Sequence, residues 1–403
     1  MTSFDSSPQS TVLRALVALA VVFVMLAITG WTTVHHNRAG RSPFQVALHA
    51  WERGGINGHP LPDPEAPAAR ISEFFGLLTA HQRQRLAARY PLVVGNLDGA
   101  PLKLRYRANR IALVDARKAE RERVNDRRLS DTGRRTVRRR VHRFTALLRE
   151  ERQILAFDPT GTGRVAEVFG DLDRAERVSI VVPGVGTDLL TFQKTNGKYT
   201  APAGMAASLY DAERAVSGDT RTAVIAWADY TAPAGIGVEA ATSKRAEDGA
   251  ERLNDLVRAL PGASPTTLYC HSYGSVVCGV AARQLPSRVT DIAVAGSPGM
   301  GTGTASGLGT AARVWAMRGA DDWIGDIPHL KVGGLGHGAD PVSQDFGARV
   351  LAAGKSGGHT GYFLPDSNNV RNLARIGVGA YHAVRCDGGG TACRKISSGS
   401  VAS

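Results

Sequence analysis

The sequence predicts an α/β fold, a mostly parallel sheet with helices on both faces, preceded by a helical segment and an N-terminal transmembrane helix. Three observations carry this. From residue 154 onward, short β-branched runs alternate with helical runs, the pattern of parallel strands joined by crossover helices. Residues 43–152 show helical patterns and almost no strand signal. Residues 15–34 hold no charged side chain, and about twenty apolar residues suffice to cross a bilayer core.

The apolar run follows Arg14 and consists mostly of Ala, Val, Leu, Ile, Phe and Met. A signal peptide has the same appearance. No clean small-x-small cleavage site follows, which favours an uncleaved single-pass anchor within residues 1–36. Arg14 lies on one side and Arg38 and Arg41 on the other. The positive-inside rule is therefore near balance and leans only slightly toward a cytoplasmic catalytic part. The cysteines lean the other way. Cys270 with Cys278, and Cys386 with Cys393, make two plausible pairs, which suits an oxidising compartment. Four free thiols are the simple alternative. The expectation is a membrane protein with its catalytic part outside the cytoplasm; a secreted or a cytoplasm-facing protein is the alternative.

Residues 43–153 form the basic helical segment. One helix is expected over 71–88, ending before Pro91. Another is expected after Pro101, broken near Gly133 and running to 154. Residues 103–152 carry eighteen Lys and Arg against seven Asp and Glu, a net +11 of the chain's +13. Three readings compete. One is a solvated helix face. The second is contact with anionic membrane lipid through Arg134, Arg143 and the arginines between them, at about 1 kcal/mol per basic residue near the surface. The third is nucleic-acid binding through phosphates. It ranks last, because the segment lacks interleaved aromatics and any DNA-reading motif.

Residues 154–382 form the α/β domain. Strand signals at 154–158 and 164–169 flank Pro159-Thr160-Gly161-Thr162-Gly163 and read as a hairpin. Further strands are expected at 178–182, 222–228, 266–271, 289–296, 313–319 and 349–353. A helix is expected over 239–260, where Ala246, Ala250, Leu253, Leu256, Val257 and Leu260 recur at helical spacing. Residues 383–403 read as a flexible tail.

The chemistry-bearing residues lie after the strands. Tyr269-Cys270-His271-Ser272-Tyr273-Gly274-Ser275 is a strand, a tight turn with Ser272 at its tip, and the start of a small-residue helix. That is the geometry of a nucleophile elbow, although Cys270 stands where the motif has its first glycine. The bland reading is an ordinary strand-to-helix connection with a solvent-facing serine. Asp321-Asp322 follows the 313–319 strand, and His359 sits in the glycine-rich stretch after the last strand. Nucleophile, acid, base is the order of α/β-hydrolases. A serine hydroxyl needs a base to take its proton, an imidazole titrates in the right range, and a carboxylate fixes its tautomer. Asp322 has the better turn spacing and Asp321 is the alternative acid. His359 is the preferred base and His337 its rival. His271 reads as structural, because adjacent strand side chains face opposite ways. The Tyr273 amide and the Val185 amide, in Pro183-Gly184-Val185-Gly186-Thr187, are candidates for an oxyanion hole.

Several stretches together resemble a known family. They are Val94-Gly95-Asn96-Leu97-Asp98-Gly99, Arg105-Tyr106-Arg107-Ala108-Asn109-Arg110, Ala156-Phe157-Asp158-Pro159, Val182-Pro183-Gly184-Val185-Gly186-Thr187, His271-Ser272-Tyr273-Gly274-Ser275, Ala295-Gly296-Ser297-Pro298-Gly299 and Gly336-His337-Gly338. The likeness is to an actinobacterial α/β-hydrolase family whose domain has no assigned function, over about residues 74–373. It implies a helical segment before an α/β-hydrolase fold, Ser272 as nucleophile, and Asp322 or Asp321 with His359 as partners. It implies no settled substrate.

The expectation is a membrane-anchored serine hydrolase that cleaves an ester or similar acyl bond, of a small molecule or a lipid, without metal or cofactor. Two other classes stay open. One is a catalytically weak envelope interaction module on the same fold; the other is a nucleic-acid or anionic-polymer binder acting through the arginines.

Overall fold

The computed structural model describes residues 41–389 and 391–394. The apolar run at 15–34 and the last nine residues lie outside them. Among the described residues, no helix is long and apolar enough to cross a membrane.

The core is an eight-stranded sheet. Its strands are β1 (Gln153–Asp158), β2 (Arg164–Gly170), β3 (Arg177–Val182), β4 (Thr222–Ala228), β5 (Thr266–His271), β6 (Val289–Ala295), β7 (Arg313–Met317) and β8 (Arg349–Val350). Their order is β8-β7-β6-β5-β3-β4-β2-β1. Strands β3 to β8 pair in parallel; β2 runs antiparallel to β1 and to β4. Side chains alternate between faces as the pleat requires. Ile180, Val182, Ile225 and Trp227 enter one core layer, while Val181, Val224 and Ala226 enter the other. Strand β4 is buried at every position, so it reads as an unbroken apolar run.

Helices α7 (Pro202–Val216) and α10 (Asn368–Gly377) cover one face. Helices α8 (Lys244–Ala259) and α9 (Gly274–Ala281) cover the other. The α8 helix is shorter than expected: 242–243 separate it from a single turn at Val238–Ala241.

The helical segment holds α1 (Pro43–Glu52), α2 (Ala68–Gly76), α3 (Ala80–Arg89), α4 (Pro91–Asn96), α5 (Leu102–Arg123) and α6 (Asp131–Leu147). The single helix expected over 71–88 is two. Thr79 accepts from the Gln82 amide while the Gln82 side chain accepts from the Thr79 amide, a reciprocal cap that starts a new helix. The later break falls at 124–130, ahead of Gly133. Ser130 caps α6 by accepting from the Gly133 amide, and α6 stops at Leu147, so Ile154 belongs to β1.

This segment is bonded into the sheet. The Asn96 side chain accepts from the Phe157 amide and donates to the Phe157 carbonyl. Asn109 donates to the carbonyls of Ile154 and Gly95. A Cβ on Gly95 would meet the Asn109 side chain at 2.0 Å, so that position must be glycine. Arg105 pairs with Asp98 at 2.8 Å. These residues belong to the stretches that carry the family resemblance.

Residues 383–389 and 391–394 depart from the flexible tail expected over 383–403. Cys386 and Cys393 are disulfide-bonded and buried, and Asn372 exchanges hydrogen bonds with both backbone groups of Arg385.

Candidate active site

Ser272 follows directly on β5 and has φ +54, a left-handed conformation that non-glycine residues seldom adopt. Its amide donates to Ala295 and its carbonyl accepts from Ser275, which fixes the turn. Gly274 allows α9 to pack closely: a Cβ there would sit 2.2 Å from the Val182 carbonyl oxygen. Cys270, in place of the motif's first glycine, is disulfide-bonded to Cys278 on α9 with Cα atoms 6.4 Å apart. Strand and helix are thereby joined covalently on either side of Ser272.

His359 Nε2 lies 2.9 Å from Ser272 Oγ, and His359 Nδ1 lies 2.8 Å from Asp322 Oδ1. With Nδ1 donating to the carboxylate, Nε2 accepts from the serine hydroxyl. Asp322 is buried. It also accepts from the Tyr362 hydroxyl at 2.5 Å and from the Ile324 amide at 3.0 Å. Burial works to raise the Asp322 carboxyl, but the bonds from His359, Tyr362 and Ile324 together hold it below the ordinary carboxylate range. Tyr362 in turn accepts from the Gly319 amide, which ties the acid to the end of β7. Gly296, with φ +58, leaves room for this group; a Cβ there would meet Asp322 Oδ2 at 2.7 Å.

The alternates lie elsewhere. Asp321 faces away from His359 and accepts from the Ser356 amide and hydroxyl and from the amides of Gly357 and Gly358. Those bonds, the Ser356 amide first, lower its carboxyl to about 2. It therefore orders the loop that carries His359. His337 donates to the Ala240 carbonyl at 2.6 Å and stands edge-on to the Tyr273 ring. Burial holds its pKa down, and its ring is engaged away from Ser272.

His271 has a structural role, and it plays that role at the site itself. It supports the site directly, donating to the His359 carbonyl at 2.6 Å with its ring 5.0 Å from the His359 ring. Strand alternation fails here because β5 ends at His271 and Ser272 has already turned. Burial above all, then the His359 charge, lowers His271 to about 4, so it is neutral at neutral pH.

Pro183-Gly184-Val185 abuts the serine. A Cβ on Gly184 would lie 2.6 Å from Ser272 Cβ and 3.0 Å from the Tyr273 amide nitrogen. Tyr230 donates to the Pro183 carbonyl and Gly186 to the Pro233 carbonyl, which holds the loop. Among the described residues, neither the Val185 nor the Tyr273 amide has a protein acceptor. A cleft of about 140 Å³ opens here, with Thr187, Thr191, Lys194 and Thr360 in its walls beside Ser272 and His359. The Trp323 ring, partly exposed, packs 4.8 Å from His359. Tyr362, Trp323 and the support from Asp321 escaped the sequence reading, since nothing in their spacing marks them. Among the described residues no group of three His, Cys, Asp or Glu side chains is placed to hold a metal ion.

Strand order, elbow and the position of the serine define an α/β-hydrolase fold. In agreement, a family described as alpha/beta hydrolase matches residues 158–332. An uncharacterised protein of Mycobacterium tuberculosis is 26% identical over 386 residues, covering 81% of this chain and 58% of that protein; the chain thus spans little more than half of that relative. Among solved structures, an a/b serine hydrolase without lid from Xanthomonas campestris is 15% identical, covering 58% of this chain and 96% of its own, with TM-score 0.37. An alpha-beta serine hydrolase homologue from Coxiella burnetii is 13% identical, covering 57% and 97%, with TM-score 0.32.

Proposed function

We propose that this chain is a serine hydrolase that cleaves an ester or similar acyl bond through an acyl-enzyme. The reading rests on one observation above others: Ser272, His359 and buried Asp322 form a continuous hydrogen-bonded chain beside two unpaired amides. Ser272 Oγ attacks the carbonyl carbon as His359 Nε2 takes its proton. Asp322 holds Nδ1–H and stabilises the imidazolium. The Tyr273 and Val185 amides receive the oxyanion. His359 returns the proton to the leaving group, and the same steps with water release the acid. Asp321 and His337 take no part in proton transfer.

Residues 15–34 are proposed to anchor the chain in a membrane, with the catalytic domain on the oxidising side. The two disulfides support that side.

A fluorophosphonate probe tests the chemistry before any substrate is known. The expected adduct maps to Ser272 and is lost in Ser272→Ala. A folded protein that takes no label would favour an interaction module on the same fold, and an adduct mapped elsewhere would end the assignment of Ser272 as nucleophile.

A further inference from the structure

The arginines of α6 are not equivalent. Arg134 pairs with Asp131. Arg140 is buried, bonded to Glu120 and to the carbonyls of Pro159 and Gly161. Arg138 and Arg139 are exposed and make no ion pair with any described residue. Together with His142, Arg143 and Leu190 they line a cleft of about 310 Å³. Positions 138, 139, 142 and 143 share one face of the helix, because three- and four-residue steps bring side chains together. Arg143 spends one guanidinium nitrogen on the carbonyls of Leu190 and Gln193, while its Nε is buried without a partner. Asp188, whose charge reaches Arg143, accepts from the Leu190 and Thr191 amides through Oδ1 and forms no ion pair with these arginines. Cationic groups are thus crowded around a concave space with no carboxylate bonded to them.

We infer that this cleft is a binding site for a phosphate-bearing ligand, held by Arg138, Arg139 and Arg143. Guanidinium forks match phosphate oxygens in paired, charge-assisted hydrogen bonds. The site stands apart from Ser272, yet the Leu190 and Gln193 carbonyls held by Arg143 belong to the segment whose Thr191 and Lys194 wall the catalytic cleft.

The test is isothermal titration of the purified chain with sodium pyrophosphate at low salt. One saturable site is expected. Arg138→Gln/Arg139→Gln should weaken it by about tenfold or more without changing turnover of a soluble ester. Arg121→Gln/Arg127→Gln removes the same charge from other exposed positions, and should shift Kd by less than about twofold. Equal losses in the two double variants would reveal a diffuse charge effect and overturn the site, as would the absence of saturable binding. Glycerol 3-phosphate run in parallel separates the sources. Tighter binding than pyrophosphate points to a lipid headgroup, and weaker binding to a free phosphate compound.

Discussion

At the scale of single residues, each site group has its own supporting contact, and the contacts rank the substitutions. His359→Ala should be about as damaging as Ser272→Ala, roughly four to six orders of magnitude in kcat, because the pair acts as a unit. His337→Ala should leave most of the activity, since its ring serves the Ala240 carbonyl. Steady-state kinetics on a soluble ester reads both, and a silent His337→Ala beside an active His359→Ala would exchange their roles. Tyr362→Phe is the subtler case. It leaves the Gly319 amide without its acceptor and removes one bond to Asp322. It should cost about 1–3 kcal/mol of stability and lower kcat more than it raises KM. Denaturant melts with matched kinetics check this, and unchanged values for both would remove Tyr362 from the supporting cast. Ser272, Asp321-Asp322 and His359 could be picked out in the sequence because each lies past a strand signal, His359 at the end of a glycine-rich loop. Which neighbour of Asp321-Asp322 faces the imidazole was legible only as a preference. That choice is made by backbone direction at the end of β7, and two consecutive aspartates leave it open.

At the scale of elements, the loop at 354–359 is held by one carboxylate. Asp321 gathers three backbone amides and a hydroxyl, so it works as a cap for a glycine-rich segment with little structure of its own. Asp321→Ala should release that loop. Turnover should fall by about tenfold, and amide exchange at 356–358 should quicken, while Ser272 remains reactive toward the probe. Asp322→Asn should cost far more turnover with little change in exchange. The acid limb of stability separates them again. The Asp321 carboxyl is lowered in the fold to about 2 from an ordinary 3.8. Its contribution is therefore present above the unfolded value and lost as pH falls through that interval toward 2. Acid unfolding followed by circular dichroism should show this loss in the native chain and its absence in Asp321→Ala. Helix breaks were the least legible elements. The cap at Thr79 and Gln82 sits inside a run whose apolar spacing continues through it, and periodicity overrides a two-residue signal when a sequence is read alone.

At the scale of the molecule, Glu213 is fully buried between β3 and α7, bonded to Ser179, with its second oxygen unpaired. Burial raises its carboxyl to about 8 from 4.5. The folded state thus keeps a proton that the unfolded chain has released. Stability should fall as pH rises between those values, by up to about 1.4 kcal/mol per pH unit from this group, and level off above. Glu213→Gln should abolish that slope; thermal melts from pH 5 to 8 check it, and an unchanged slope would mean the carboxyl is already ionised. The parallel sheet was legible because strands buried on both faces show themselves as apolar runs. The attachment of the helical segment to it was not. It is made by Asn96 and Asn109, polar residues on helices whose partners lie far along the chain. Strand β1 is the last in the sheet, and a bare outer strand invites another chain to add itself there. The two asparagines occupy three backbone groups of that strand, the Phe157 amide and the Phe157 and Ile154 carbonyls. A fragment trimmed to start at 153 would keep Ser272, Asp322 and His359 and would still be a poor reagent: it should form oligomers and precipitate at concentrations where a fragment that starts at 43 stays in solution.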